Sequence, residues 1–237
     1  MVELSVVIPA FREEERLEAM LVAYLNFYKE PSVEFVVVMA VEDVETRAVA
    51  ERLAAADQRV RLVLEERTSG KGSAVRLGMA RAEGALIGFV DADGATQPEA
   101  FAALVSGLKE GVDGVIASRA LRGAVVKPRP SGQRRLASWV FNGWVRLLFG
   151  FPFRDTQCGA KVFRRACLQQ VLPRLTVGGW AFDVDLLWRC VEAGFVVVEV
   201  ATSWQDVPGS KLHVARASWE MFWDVLCLRL RGQELES

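Results

Sequence analysis

Two aspartates one residue apart, Asp91 and Asp93, follow directly on an apolar run, Ala85 to Val90. The run reads as a buried strand, and the pair as its C-terminal loop. Residues i and i+2 of an extended segment point the same way, so the two carboxylates converge on one point. Close like charges stay ionised together only when a cation compensates them. A hard divalent ion that also holds substrate phosphates meets that need. Taken alone, Asp91-Ala92-Asp93-Gly94 is equally the composition of a polar turn, so the remaining motifs must decide.

Three other stretches carry chemistry. In Gly70-Lys71-Gly72, ahead of an expected helix, backbone N–H groups and an ammonium can approach a phosphate. It is not a Walker A loop, which needs Ser or Thr directly after the lysine. Pro9-Ala10-Phe11-Arg12-Glu13 stands at the end of the first expected strand, where Phe11 can form a shelf for a base and Glu13 can reach a ribose. From Arg119 to Arg165 the chain carries eleven Lys or Arg and a single acid, Asp155. Such a block is either a solvated face or a site for phosphates.

These residues need elements to hold them. The sequence predicts strands at Leu4–Ile8, Glu34–Val41, Val60–Leu64, Ala85–Val90 and Val112–Ala117. Helices are expected at Arg12–Tyr28, Thr46–Ala56, Ala74–Ala82 and Pro98–Glu110. That alternation argues for an α/β fold: a mostly parallel central sheet with helices on both faces. After Ser118 the pattern loosens. Leu121–Ser131 reads as a loop, and Leu136–Phe149, Arg164–Leu172, Asp183–Ala193 and Ala217–Arg231 as helices, with a strand at Phe195–Val200. The 237 residues read as one domain, a Rossmann-like nucleotide-binding half (1–118) and an acceptor-binding half (119–237).

Composition narrows the function classes. The chain is 51% hydrophobic and 25% charged, with a formal net charge of −1, so nothing draws it as a whole to nucleic acid. Its four cysteines show no metal-binding spacing and read as free thiols of a reducing compartment. Met1-Val2-Glu3-Leu4 lacks the basic stretch of a secretory leader. No apolar run reaches the ~20 residues that span a bilayer. The expected location is cytoplasmic, peripheral at the membrane surface.

Taken together, these residues resemble the inverting, GT-A-type family-two glycosyltransferases. Pro9-Ala10-Phe11-Arg12-Glu13 is similar to that family's Pro-x-Tyr-Asn-Glu opening, and Asp91-Ala92-Asp93 to its metal-binding Asp-x-Asp. Ser118-Arg119-Ala120, Asp155-Thr156-Gln157-Cys158-Gly159-Ala160-Lys161, Trp180-Ala181-Phe182-Asp183-Val184-Asp185 and Gly209-Ser210-Lys211-Leu212 resemble signatures of the dolichyl-phosphate β-glucosyltransferases, and next the dolichyl-phosphate mannose synthases. The resemblance runs from about Ser5 to Arg231.

It implies that Asp91 and Asp93 hold Mg²⁺ or Mn²⁺ on the diphosphate of a nucleotide-sugar, UDP-glucose or GDP-mannose. It makes the acceptor a polyprenyl phosphate. Arg119 and Arg134 match positions that contact phosphates, Lys211 a lysine near the acceptor or diphosphate, and Asp183 an orienting carboxylate. Pro9, Ala10, Phe11, Glu13, Glu42, Lys71, Ala92 and Gln157 complete the expected nucleotide-sugar site. His213, the only histidine, reads as a surface residue.

The chain departs from that pattern twice. Where the family carries Asp-Asp-Gly-Ser after its second strand, this chain has Met39-Ala40-Val41-Glu42, which leaves Glu42 or Asp43 to read the base. The membrane helices of many relatives are missing. Leu136–Phe153, with Trp139, Phe141, Trp144, Phe149, Phe151 and Phe153 beside arginines, is expected to lie shallowly in the membrane instead. Two other functions stay open: a glycosyltransferase with a soluble acceptor, and an inactive nucleotide-binding scaffold.

Overall fold

The computed structural model describes residues 1–66, 70–129, 131–205 and 214–235. Seven strands form one sheet: β1 (Leu4–Pro9), β2 (Val33–Ala40), β3 (Val60–Glu65), β4 (Leu86–Val90), β5 (Gly114–Ser118), β7 (Ala160–Arg164) and β8 (Val197–Ala201). Their order is β3-β2-β1-β4-β7-β5-β8. β7 alone runs antiparallel, paired with β4 on one side and β5 on the other. β6 (Val125–Lys127) and β9 (Ser203–Gln205) make a separate two-stranded sheet.

Every residue of β2 is buried, as expected of a central parallel strand covered on both faces. One apolar layer packs α1 (Leu17–Phe27), α2 (Val44–Ala56) and α4 (Pro98–Ser106) through Leu21, Tyr24, Leu53 and Phe101. The opposite layer packs α3 (Lys71–Arg81), α5 (Gly132–Phe149), α6 (Arg165–Val171), α7 (Phe182–Glu192) and α8 (Val214–Leu235) through Val75, Val145, Leu168, Leu187 and Val225.

The chain runs outward from β1 to β3 and then returns to place β4 on the other side of β1. That reversal opens a crevice at the C-terminal strand ends, where open α/β sheets bind ligands. Because β7 is antiparallel, its N-terminal end, with Asp155–Gly159 before it, meets the ends of β4 and β5 at this same edge.

Three expectations are corrected. The first helix begins at Leu17 rather than Arg12, because Arg12 takes a left-handed backbone (φ 55°). Its N–H donates to Asp43 Oδ2 at 2.6 Å, and Glu13 N–H to Thr46 Oγ1 at 2.9 Å, so this turn is tied to α2 before any helix starts. The helix expected from Arg164 is preceded by β7. The loop expected over Leu121–Ser131 contains β6.

Candidate active site

Asp91 stands one residue beyond β4, its N–H donating to Gly159 O at 3.1 Å. A Cβ on Gly159 would lie 2.5 Å from Asp91 Cγ and closer still to Oδ2. The carboxylate therefore lies directly over a backbone that only glycine can supply. Asp91 Oδ1 receives Lys71 Nζ at 2.6 Å. Asp93 turns its Oδ1 onto Ala95 N–H at 2.9 Å, and Gln97 Nε2 donates to Gly94 O. Burial, then Asp91, push the Asp93 carboxyl above its ordinary value, against the Ala95 N–H, Lys71 and Arg16. Strained like charge of this kind marks a place for a cation.

Lys71 opens α3. Gly70 before it has φ 98°, a backbone conformation that side chains rarely adopt, and a Cβ there would meet Gly178 O at 2.8 Å. The facing loop is fixed by Asp185, whose buried Oδ2 accepts N–H bonds from Thr176 and Val177 at 2.7 and 3.0 Å. Gly178 O in turn accepts from Ser73 N–H. Burial pulls the Lys71 ammonium down, but Asp91, Asp183 and Asp93 outweigh it and leave its pKa above the usual lysine value.

Arg119 follows β5. Its Nε and Nη2 fork onto Asp155 at 2.8 and 3.0 Å, its N–H reaches the same carboxylate at 2.9 Å, and its guanidinium lies 5.0 Å from the Trp204 ring centroid. Asp155 is buried, which by itself raises its pKa; Arg119's charge and hydrogen bonds more than reverse this and hold it below the ordinary value. Gln157 donates its N–H to Asp155 Oδ1, while its buried side-chain Nε2 has no partner among the described residues. Burial pushes the neighbouring Cys158 thiol up to about 12. A buried amide donor without an acceptor among the described residues, on the segment that leads to Gly159 beneath Asp91, fits a site built for an anionic ligand. No cluster of three or more potential metal-ligating side chains occurs among the described residues. A cation on Asp91 and Asp93 would therefore draw its remaining oxygens from ligand and water, the usual arrangement for Mg²⁺.

At the ends of β1 and β2 a cavity of about 540 Å³ is lined by Phe11, Arg12, Glu14, Glu42, Asp43, Val44 and Glu45. Phe11 is exposed, with the Arg12 guanidinium 5.2 Å from its ring centroid. Asp43 is buried and already used: it holds Arg12 N–H and caps α2 through Thr46 N–H. Glu42 is exposed on the cavity wall. Pro9 ends β1 and Ala10 is buried behind Phe11.

The structure thus brings Asp91, Ala92, Asp93, Lys71 and Asp183 together, with Arg119 and Gln157 on the adjoining segments. Two residues differ from expectation in their engagement. Glu13's carboxylate is paired with Arg16 at 2.7 and 2.6 Å. Arg134 lies in the exposed first turn of α5, its N–H on Ser131 Oγ. Lys211 and His213 lie outside the described residues.

Gly159 and Lys161 stand within the signature Asp155–Lys161, but no role for either follows from the sequence. Their signal lay in Asp155–Lys161 itself: a glycine and a lysine beside an acidic residue, in a stretch too mixed to read as a strand.

The aromatic segment is corrected too. Phe141, Phe151 and Phe153 are buried, and Trp144 packs on Phe222. Leu136, Trp139, Val140 and Leu147 stay exposed, Trp139 at 67%. No helix among the described residues is long and apolar enough to cross a membrane.

Comparison with known proteins agrees with this architecture. The family model described as "Glycosyl transferase family 2" matches residues 5–172. The chain is 37% identical to a dolichyl-phosphate beta-glucosyltransferase of Drosophila melanogaster, covering 89% of this chain and 69% of that protein. It is 32% identical to the human protein of the same name, covering 97% and 75%. Among solved structures it resembles glucosyl-3-phosphoglycerate synthase from Mycobacterium tuberculosis in complex with Mn²⁺, UDP and phosphoglyceric acid. That likeness has a TM-score of 0.69 at 17% identity, over 97% of this chain and 78% of that one. It also resembles mannosyl-3-phosphoglycerate synthase from Rubrobacter xylanophilus, with a TM-score of 0.71 at 17% identity, over 98% and 75%. At that identity the two structures speak for the GT-A fold alone. The sheet with its reversal at β1 and β4, the family match over most of the chain and the relatives above 30% identity make this chain a member of glycosyl transferase family 2, a glycosyltransferase.

Proposed function

We propose that this glycosyltransferase moves glucose from UDP-glucose to a polyprenyl phosphate of the dolichyl type. The observation that carries the reading is the identity, over about nine-tenths of the chain or more, to proteins named dolichyl-phosphate beta-glucosyltransferase. The 1–118 half binds the nucleotide-sugar, and 119–237 the acceptor.

In this reading the uracil lies against Phe11, above Pro9 and Ala10, with Glu42 facing its edge and Glu13 bracing the turn through Arg16. Asp91 and Asp93 would hold Mg²⁺ or Mn²⁺, and a cation held there would supply positive charge against the diphosphate of the leaving UDP. Lys71 shares that task, its ammonium already beside Asp91. The acceptor oxygen attacks the anomeric carbon from the face opposite the departing diphosphate, which inverts the configuration. A phosphate is already anionic at neutral pH, so the step asks little of a general base. Arg119, Gln157, Arg134 and Lys211 are assigned to the phosphates of the two substrates, and Asp183 to orienting the site.

A lipid acceptor also implies contact with a bilayer surface. The exposed Leu136, Trp139 and Val140, next to Arg134 and Arg135, have the composition of a shallowly inserted helix end. Burying these side chains contributes a few kcal/mol at ~25 cal/mol per Å², enough for reversible attachment. The test is transfer of labelled glucose from UDP-glucose to a short polyprenyl phosphate in the presence of Mg²⁺ or Mn²⁺. Glucose on the lipid phosphate is expected. Transfer only to a water-soluble acceptor, or none, would overturn the reading.

A further inference from the structure

Lys161 lies in the middle of the sheet and is fully buried. It stands on β7, opposite Phe89 of β4. Its Nζ donates to Asp183 Oδ1 at 2.6 Å and to Cys158 O at 2.8 Å, and lies 5.3 Å from the Phe89 ring centroid. Lys71 Nζ lies 5.7 Å from that same ring. Two ammonium groups therefore border one aromatic ring, one held by Asp91 and the other by Asp183.

The backbones that carry Lys71 and Asp183 are also in contact. A Cβ on Gly72 would come within 2.9 Å of Phe182 Cγ and 2.8 Å of Gly179 O. The first turns of α3 and α7 thus abut, with Lys71 and Asp183 each one residue from the junction. Asp183 is the second-largest acidic influence on Lys71, after Asp91.

A buried ion pair is a poor way to stabilise a fold, since apolar residues of similar volume serve as well or better. Its placement here has another consequence. Asp183 without a cation of its own would draw the Lys71 ammonium away from Asp91. We propose that Lys161 is a positioning residue: by saturating Asp183 it leaves the Lys71 ammonium to Asp91 and to the diphosphate of the donor. This rests on the nucleotide-sugar reading of the site.

The argument separates two substitutions that a mere strut would not. Lys161→Met leaves Asp183 free to capture Lys71. Asp183→Asn breaks the same ion pair but removes the competitor. Binding of UDP in saturating MnCl₂ is measured by calorimetry on wild type, both single variants and the double variant, below each melting temperature, with stoichiometry reporting the folded fraction. Lys161→Met should bind UDP about tenfold more weakly or worse, the loss of one charge-assisted hydrogen bond. Asp183→Asn and the double variant should bind UDP within about threefold of wild type even where turnover falls, because Asp183 is assigned to orienting the site and not to holding the nucleotide. Equal weakening in Lys161→Met and Asp183→Asn would make the pair a strut and overturn the proposal, as would unchanged affinity in Lys161→Met. If Lys161→Met does not fold, a loss of UDP binding in Asp183→Asn still overturns it, and retention there supports it. Wild type that binds neither UDP nor GDP with Mn²⁺ or Mg²⁺ would instead strike at the nucleotide-sugar reading.

Discussion

Replacing Gly159 by alanine adds one carbon at the most crowded point of the site. That carbon would sit 2.5 Å from Asp91 Cγ, with Oδ2 nearer still and Oδ1 at 3.1 Å, whereas real Cβ contacts essentially never fall below 3.0 Å. The carboxylate must retreat by about half an ångström at its carbon and by more at Oδ2. It is anchored on two sides: Asp91 N–H is bonded to Gly159 O at 3.1 Å, and Oδ1 to Lys71 Nζ at 2.6 Å. Retreat therefore breaks the lysine contact or swings the carboxylate out of the cation position shared with Asp93. A misplacement near 1 Å at a reacting centre costs on the order of 10²-fold in rate. Overpacking adds about 1–3 kcal/mol of destabilisation, small enough for the protein to stay folded. The assay is initial rate of glucose transfer at saturating donor, alongside UDP binding in Mn²⁺ and the melting temperature. Gly143→Ala on α5 is the control, because nothing among the described residues lies within 4 Å of its added Cβ; there alanine should stabilise the helix by up to ~1 kcal/mol and leave the rate unchanged. A Gly159→Ala enzyme with wild-type rate and cation response would refute the placement of Asp91 as a cation ligand.

Asp91→Asn and Asp93→Asn should each abolish the Mn²⁺-dependent rise in melting temperature that UDP confers on wild type, with the ligand-free protein still cooperative in thermal unfolding; a persistent rise in both would move the cation elsewhere. Leu136→Ser with Trp139→Ser should weaken sedimentation with anionic liposomes and leave the melting temperature nearly unchanged, whereas Trp144→Ser, on the Phe222 contact, should lower the melting temperature instead. The reverse pattern would show that the exposed end of α5 is not the membrane face. Asp155 has its pKa held below the ordinary value by Arg119 against the opposing effect of burial, so its contribution to stability is full above the unfolded value near ~3.9 and fades as pH falls through the lower folded value. Denaturant midpoints should hold from neutral pH to about 5 and drop below about 4, and Arg119→Met should lower the midpoint at neutral pH and flatten that acid drop, since only the Arg119 backbone N–H and Lys161 then oppose burial at Asp155; superimposable profiles would contradict the pairing.

Much of this was legible in the chain because buried parallel strands read as uninterrupted apolar runs. Val33–Ala40 and Leu86–Val90 fall within a residue or two of expectation, and the Asp91/Asp93 pair followed from the second of them. β7 escaped because Lys161 lies within it: a charged side chain argues against a buried strand unless its partner is known, and Asp183 is 22 residues away. The start of α1 was misplaced because Arg12 is held left-handed by a bond to Asp43, a contact across 31 residues that no local pattern encodes. Arg119 carried its phosphate expectation in sequence, but only the fold reveals that two of its side-chain donors already serve Asp155. The whole segment Leu136–Phe153 is expected from its sequence to lie shallowly in the membrane. In fact Phe141 and Val145 turn to the core and Leu136 and Trp139 to solvent, a division set by where α8 packs.

The central claim is that the acceptor is a lipid-linked phosphate and the donor UDP-glucose. The most direct measurement is mass spectrometry of the lipid phase after incubation of the purified protein with UDP-glucose, Mg²⁺ or Mn²⁺ and a polyprenyl phosphate. The account predicts a polyprenyl phosphate heavier by one hexose, formed with stoichiometric release of UDP and abolished by Asp91→Asn. Unmodified lipid alongside glucosylation of a water-soluble phosphorylated acceptor such as 3-phosphoglycerate would contradict it.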